Sequence, residues 1–534
     1  MYRTLSRSER LDASDSSVLV NDACRQLLRL PEKEWAQALD ALVEQNDPID
    51  VVDGLKAVFI NPAMFGRLAR QLIHAKSLAV PSQRTTRTVA VIYSRYCEGG
   101  VERVISRQIP LLLDLGFRVI LMTSEFHPER EYALPDQVER VVLPSAENAF
   151  RTQGLATALR EKNVDCVLYH QSSFRNCLWD LMLMRLVGVH VVALLHELPF
   201  ALFGVDPHPS QCAFESARPA IYRLASRLAV LDRTQEAYFK SLGVNATFVP
   251  NPPTYDLSYC HIAPGASERT GVYWIGRLDE GVKNFTAALE IFKCLIQKEP
   301  TLQCFLVGPE YDKGAGQRVL SFIRENQLQD NVHWLGASND VRQYLRTARV
   351  LLLTSRFETF PMLLIEAKCC GAPVVMYELP YLELTQSGRG FAAVPQDRKD
   401  LAVAEVLDIL INDKKCDQMI ADSLQDIHDF YSQYNLKAIW KRIIDEPAAS
   451  EGSEVLIERL IVQFEQQERF LGLGVQRIFG MTGDLEVSIN LLRRKIKKVY
   501  SMNALTYLVM SWIAWKRDKR QHYRIKLWRL LTSL

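Results

Sequence analysis

The sequence predicts an α/β protein with two parallel-sheet domains and helical segments on either side of them. Short apolar runs alternate with helix-patterned stretches, which is the signature of strand–helix–strand units. The runs Val89–Tyr93, Phe117–Met122, Asp165–His170, Val189–Leu195 and Ala225–Val230 form one series. Val272–Gly276, Gln303–Val307, Asn331–Gly336, Val350–Leu353 and Pro373–Met376 form a second. These runs are mostly apolar, with polar residues largely near their ends, as expected for strands covered on both faces. At 534 residues the chain is long enough for two such domains and extensions.

Bulk properties exclude several classes. The chain is 48% hydrophobic and 24% charged, with a net charge of +2, so nothing draws it as a whole to nucleic acid. The charge is uneven: 491–534 carries twelve Lys/Arg against one Asp, a net +11, leaving −9 for the rest. The eleven cysteines include no CxxC pair and no His/Cys cluster, which points to reduced thiols, a cytoplasmic setting and no structural zinc. No run of eighteen apolar residues occurs, so no spanning helix is expected. The first residues lack an apolar signal core.

In chain order, 1–86 reads as a helical extension, with helical spacing in Ala23–Leu30, Trp35–Val43 and Met64–Ala75. The first sheet domain, 87–255, opens with strand Val89–Tyr93 and the turn Glu98-Gly99-Gly100-Val101-Glu102. A helix capped at Gly116 follows. Gly99 and Gly100 suit close approach of backbone to a ligand, and equally a plain tight turn. Two strands end in histidine, one at His170 and one at His196. Strand ends are where ligands bind in such sheets, while a lone histidine is also common as a satisfied structural residue. Asp232 reads as a helix N-cap.

The second sheet domain, 268–425, carries the more specific signals. After strand Val272–Gly276 comes Arg277-Leu278-Asp279-Glu280-Gly281-Val282-Lys283-Asn284. Arg277 and Lys283 place two cations on one loop, where they can stabilise negative charge building on a leaving diphosphate. Either alone is as readily a surface charge. Thr354–Tyr377 reads strand end, polar loop, helix opened by Pro361, Gly371 stop, strand. Glu358 lies in its loop and Glu366 eight positions on, in the helix. The N–H groups of Phe360, Met362 and Leu363 lie at the helix start, which favours an anion by dipole and by open donors. Glu366 can accept from vicinal hydroxyls, or be an ordinary surface position.

This Glu-x7-Glu segment with its Ala, Gly and Pro-Val-Val, preceded by Gly276-Arg277-Leu278 and Lys283-Asn284, resembles the signature of retaining GT-B glycosyltransferases of family 4. GGVERVISRQIPLLLDLGFRVIL, beginning at Gly99, resembles their first βαβ unit, and Val249-Pro250-Asn251-Pro252 their exit to the interdomain linker. The resemblance covers about 88–445. Departures are Thr359, where the family often has Gly, and Glu378–Glu383, where its loop is usually glycine-rich.

The resemblance implies two Rossmann-like domains facing a cleft, acceptor in the first and nucleotide-sugar donor in the second. It also implies a helix within 426–449 that crosses back to the first domain. It implies transfer of a hexose from a nucleotide diphosphate sugar, a substrate and not a cofactor, to a hydroxyl of a glycan or lipid-linked acceptor. That activity would serve cell-surface polysaccharide synthesis. Arg277 and Lys283 would clamp the diphosphate, Glu358 orient the sugar and Glu366 the ribose. His196 would meet the sugar or shape the acceptor site, and Gly99, Gly100, Gly276, Phe360, Met362 and Leu363 would line the donor. The chain has no Asp-x-Asp, so a metal clamp of that kind is not expected. Another GT-B activity, epimerase or phosphorylase, and a non-catalytic assembly protein stay open. Glu358 and Glu366 are not read as a glycosidase pair.

The segment 450–534 lies outside the resemblance. Val455–Phe470 is amphipathic, and 491–534 mixes basic residues with Trp, Tyr and Leu. That pattern suits a helix on an anionic membrane surface, at the inner face if the setting is cytoplasmic, or equally a subdomain packed on the body or a dimer contact. No nucleic-acid motif accompanies it.

Overall fold

The computed structural model describes residues 23–24, 26–27, 30, 34–55, 62–74, 87–97, 99–145, 151–170, 174–198, 218–259, 262–338, 340–446, 452 and 454–462. These fall into two compact units. One runs to Val249 and resumes at Trp440; the other is Pro250–Ile439.

In the first unit, helices α1 (Trp35–Gln45), α2 (Pro48–Leu55) and α3 (Pro62–His74) precede the sheet. The chain then runs β1 (Thr88–Ile92), β2 (Arg95–Tyr96), α4 (Gly100–Asp114), β3 (Arg118–Thr123), β4 (Glu125–Phe126), β5 (Glu139–Val142), α5 (Arg151–Glu161), β6 (Cys166–Tyr169), α6 (Phe174–Val187), β7 (His190–Leu194), β8 (Arg227–Val230), α7 (Arg233–Ser241) and β9 (Ala246–Phe248). The sheet order is β5-β3-β1-β6-β7-β8-β9, and every pairing is parallel. β2 and β4 make a separate two-stranded ribbon. The order reverses between β1 and β6, so the carboxyl ends of those strands flank the crevice where such sheets take ligands.

The N-terminal helices are not an appendage. Leu39, Val43, Val51, Val52, Leu55, Leu68 and Leu72 share one core with β1, β3, β6 and β7. The buried Asp53 carboxylate accepts the N–H groups of Thr152 and Gln153 at 2.8 and 3.0 Å, closing the first turn of α5. The chain from Trp440 is joined to this unit by Arg87 to Asp445, Arg227 to Glu446 and His190 to the Ile443 carbonyl. The helical residues 454–462 bury Leu456, Ile457, Leu460 and Ile461 in the same core, and Glu458 pairs with Arg70 at 3.0 Å. This stretch of the amphipathic segment is thus packed, whereas 491–534 lies outside the described residues.

In the second unit the elements are β10 (Thr270–Ile275), α8 (Phe285–Lys298), β11 (Cys304–Val307), α9 (Ala315–Glu325), β12 (Val332–Trp334), α10 (Arg342–Thr347), β13 (Ala348–Leu353), α11 (Met362–Cys369), β14 (Val374–Tyr377), β15 (Phe391–Val394), α12 (Lys399–Ile411) and α13 (Asp413–Ser432). The order β12-β11-β10-β13-β14-β15 is again all parallel and reverses between β10 and β13. The strands bury Val272, Leu306, Val350, Leu352 and Val375 under helices that contribute Phe285, Phe292, Leu295 and Val406.

The stretch 426–449 holds the end of α13, which stops at Ser432, and the helix α14 (Leu436–Asp445), which begins after a three-residue break. One expectation needs correction. α11 begins at Met362, with Pro361 at the N-cap and ψ of 108°. The ring fixes φ but leaves ψ extended, so the proline ends the loop before the first helical residue. The nine described cysteines are all free.

Candidate active site

The loop after β10 folds around Asp279. Its carbonyl accepts from the N–H groups of Lys283 and Asn284 at 2.9 and 3.0 Å, and its Oδ1 from Val282 N–H at 2.9 Å. Asn284 turns left-handed (φ 52°) as the N-cap residue of α8. Thr354, at the end of β13, ties this loop to the next. Its hydroxyl lies 3.0 and 2.9 Å from the carbonyls of Lys283 and Asn284, and it accepts from the Trp274 indole at 3.0 Å. Arg356 N–H donates to Val282 at 2.8 Å. The two loops at the switch point are therefore one piece.

The sequence separates Lys283 from Glu358, and the fold joins them. Lys283 Nζ lies 2.5 Å from Glu358 Oε1, and the Ser355 hydroxyl donates to the same oxygen at 2.7 Å. Both charged side chains are mostly buried, at 21% and 16% exposure. A Cβ at Gly276 would lie 3.3 Å from the Trp274 ring, a tight contact, and 3.8 Å from Lys283 Cδ, an ordinary one. Arg277 does not join this pair. It donates from Nε and Nη2 to Asp279 at 3.0 and 2.8 Å and lies over the Tyr311 ring at 4.6 Å.

Glu358 is followed by the start of α11. Phe360 is buried, and Met362 and Leu363 are partly exposed. The N–H groups of Met362 and Leu363 fall in the first turn, which helix geometry leaves without intrahelical partners. Glu366 is buried at 4% exposure on the second turn, so the plain surface reading of it is wrong. Glu358 N–H donates to the Tyr381 hydroxyl at 3.3 Å, which brings the atypical Glu378–Glu383 loop to the site.

His196, Gly99 and Gly100 lie in the other unit, at its own strand ends. Gly99 has extended φ and serves as the N-cap position of α4; a Cβ there would meet the carboxylate of Glu102, while Gly100 faces open space. Glu102 is buried, and burial raises its carboxyl above the usual range. His196 is partly exposed and bonds to His170, which sits buried beneath it. Burial lowers the His196 pKa to about 4 and takes that of His170 well below the usual imidazole value.

Asp279, Thr354, Ser355, Tyr311 and Tyr381 were not picked out from the sequence. Asp279 alone carried a signal, as an acid between two cations on a loop. Among the described residues no group of three or more His, Cys, Asp or Glu side chains is placed to hold a metal ion.

Two parallel sheets of this order, each with polar loops at its switch point, define the GT-B fold of glycosyltransferases, and solved structures share it. Sucrose-phosphate synthase from Thermosynechococcus elongatus superposes with a TM-score of 0.55 at 15% identity, over 67% of this chain and 98% of that one. WaaG, a glycosyltransferase involved in lipopolysaccharide biosynthesis, gives 0.53 at 15% over the same shares. At such identities the likeness speaks for the fold alone.

Residues 266–425, most of the second unit, match the family Glycosyl transferases group 1. The phosphatidyl-myo-inositol mannosyltransferase of Mycobacterium tuberculosis is 27% identical over 201 residues, 36% of this chain. The poly(glycerol-phosphate) alpha-glucosyltransferase of Bacillus subtilis is 23% identical over 263 residues, 48% of this chain and 37% of that protein. The chain spans about half the length of the mannosyltransferase, 51%.

Proposed function

We propose that the protein transfers a hexose from a nucleotide diphosphate sugar to a hydroxyl of a glycan or glycolipid, with retention at the anomeric carbon. The observation that carries this is the Lys283–Glu358 pair at the β10/β13 switch point, beside the start of α11. A lysine beside a helix N-terminus suits a diphosphate, and a carboxylate beside it suits sugar hydroxyls. The match of 266–425 to the family Glycosyl transferases group 1 and the similarity to mannosyl- and glucosyltransferases support the same reading.

In the proposed reaction the bond from the anomeric carbon to the diphosphate oxygen breaks, and its electron pair leaves with the nucleoside diphosphate. The acceptor oxygen bonds the carbon on the same face, and the acceptor proton passes to the leaving phosphate. Lys283 and Arg277 stabilise the charge that grows on that phosphate. Glu358 orients the hexose and Glu366 the ribose, while His196 contacts a substrate hydroxyl. No resident metal or cofactor is invoked.

Transfer is tested by incubating the full chain with UDP-, GDP- and ADP-sugars and candidate acceptors, with and without EDTA. A glycosylated product, formed equally with EDTA, is expected. Only an epimer or a sugar phosphate would replace the transferase reading by another GT-B activity. No turnover of any donor would favour a non-catalytic protein.

No described helix is long and apolar enough to cross a membrane. We further propose that the basic 491–534 segment meets an anionic membrane at its cytoplasmic face. Deleting 491–534 is expected to move the protein to the soluble fraction; unaltered fractionation rejects this contact.

A further inference from the structure

The two cations at the β10/β13 switch point are held by acids in different ways. Arg277 donates to Asp279 on its own loop, and Asp279 is itself fixed: it is buried, and its Oδ1 accepts from Val282 N–H at 2.9 Å. Lys283 instead reaches the loop after β13. Its ammonium lies 2.5 Å from Glu358 Oε1, and that oxygen also accepts from the Ser355 hydroxyl at 2.7 Å. Asp279 thus holds the backbone of its loop, whereas the Glu358 carboxylate bonds side chains that can turn away. Both of its bonds fall on one of two oxygens, so it keeps capacity to accept from a ligand.

A phosphate oxygen that takes the Lys283 ammonium takes it against Glu358. Two anions converging on one cation repel each other, and the pair is mostly buried, so water screens that repulsion weakly. What happens to the displaced carboxylate depends on the nucleotide. An intact nucleotide sugar brings hexose hydroxyls, which can donate to it. The product nucleoside diphosphate brings none, and its freed terminal phosphate ionises a second time at about pH 6, adding negative charge beside Glu358. The exchange is therefore compensated for the donor and uncompensated for the product.

We propose that Glu358 is an internal counter-anion of Lys283, and that its displacement selects the intact nucleotide sugar over the product nucleoside diphosphate. The proposal rests on the roles given above for Lys283 and Glu358. Arg277, whose acid stays in place, holds both nucleotides alike. Glu358 thereby acts twice, orienting the hexose before transfer and weakening the hold on the diphosphate after it.

The test is calorimetric titration of the full chain, without acceptor, with UDP, GDP and ADP and with UDP-glucose, GDP-mannose and ADP-glucose. The comparison is made on the base that binds. Glu358→Gln is expected to bind the diphosphate at least about threefold tighter than wild type. The ratio of dissociation constants, diphosphate over sugar, is expected to fall at least about tenfold. Glu358→Asp keeps the charge but shortens the reach to Lys283, and is also expected to bind the diphosphate at least about threefold tighter. Diphosphate affinity unchanged or weaker in both variants, or an unchanged ratio in Glu358→Gln, overturns the proposal. Tightening in Glu358→Gln alone means plain repulsion by the carboxylate, and overturns it too. If Glu358→Gln does not fold, Glu358→Asp decides. No binding of any nucleotide overturns the transferase reading and this inference with it. The expected ratios in a chain that transfers no sugar uphold the counter-anion while overturning the transferase reading.

Discussion

Lys283 and Glu358, 75 residues apart in sequence, share a hydrogen bond of 2.5 Å at the carboxyl ends of β10 and β13. Each neutralises the other within a largely buried setting, so removing one partner strands the other. A donor diphosphate would compete with Glu358 for the ammonium. Lys283→Ala is expected to lower turnover tenfold or more, a barrier change on the order of 1.4 kcal/mol, and to lower the urea midpoint. Lys283→Met with Glu358→Gln should restore the midpoint but not the turnover. Recovery of both would show that the pair is only structural.

Arg277 is half-exposed and bonded to a carboxylate two residues away, so it contributes little to stability. Arg277→Ala should cost at least tenfold in turnover at an unchanged midpoint. Arg277→Lys should recover little, because an ammonium lacks the two-pronged contact. Wild-type turnover in both Arg277→Ala and Lys283→Ala would remove the cation clamp.

Gly308 holds φ at 146°, and a Cβ there would lie 1.9 Å from the Gly276 carbonyl oxygen. Backbone is on both sides of that contact, so no side chain can yield. Gly308→Ala should destabilise by about 2 kcal/mol or more and, by displacing Gly276, weaken nucleotide binding. Calorimetric unfolding and nucleotide titration measure the two effects. An alanine variant equal to wild type in both would contradict the close approach.

Lys368 is fully buried, paired with Asp426, and donates to the carbonyls of Leu384 and Arg389 at 2.8 and 3.3 Å. It anchors the chain between β14 and β15 to α13. Lys368→Met leaves Asp426 buried without its cation and should cost ~3–5 kcal/mol. Lys368→Met with Asp426→Leu should cost less than either single change. Strict additivity in denaturant unfolding would mean that the two do not interact.

The histidine pair gives stability a pH dependence. Burial lowers the folded pKa of His196 from 6.5 to about 4, so the unfolded chain binds its proton first. The stabilisation is complete above about pH 6.5 and is lost as pH falls toward 4. His196→Gln should therefore show a shallower fall of urea midpoint between pH 7 and 4.5 than wild type. Parallel curves would mean that His196 titrates normally in the folded protein.

The strands were legible because buried parallel strands are apolar runs: Val89–Tyr93 and Val272–Gly276 were placed to within about two residues. The missed elements have physical reasons. β5 is a half-exposed edge strand with Glu139 and Arg140 in it, and so lacks the apolar run. α6 buries nearly its whole described surface, Leu178, Leu181, Met182 and Met184 among it, and so shows no amphipathic period. α2 was missed beside the acidic residues Asp47, Asp50 and Asp53, yet Asp53 is a buried cap.

The sequence by itself determined the two series of strands, the switch from loop to helix at Pro361, and the residue types able to meet a charged sugar donor. Those depend on composition and spacing within a few residues. Only the tertiary structure decided which charges are partners. It paired Lys283 with Glu358 and turned Arg277 toward Asp279 and Tyr311. It also buried Glu366 and linked His196 through His170 to Gln108. Such contacts depend on which strand ends the parallel order makes neighbours, and spacing along the chain carries no record of that order.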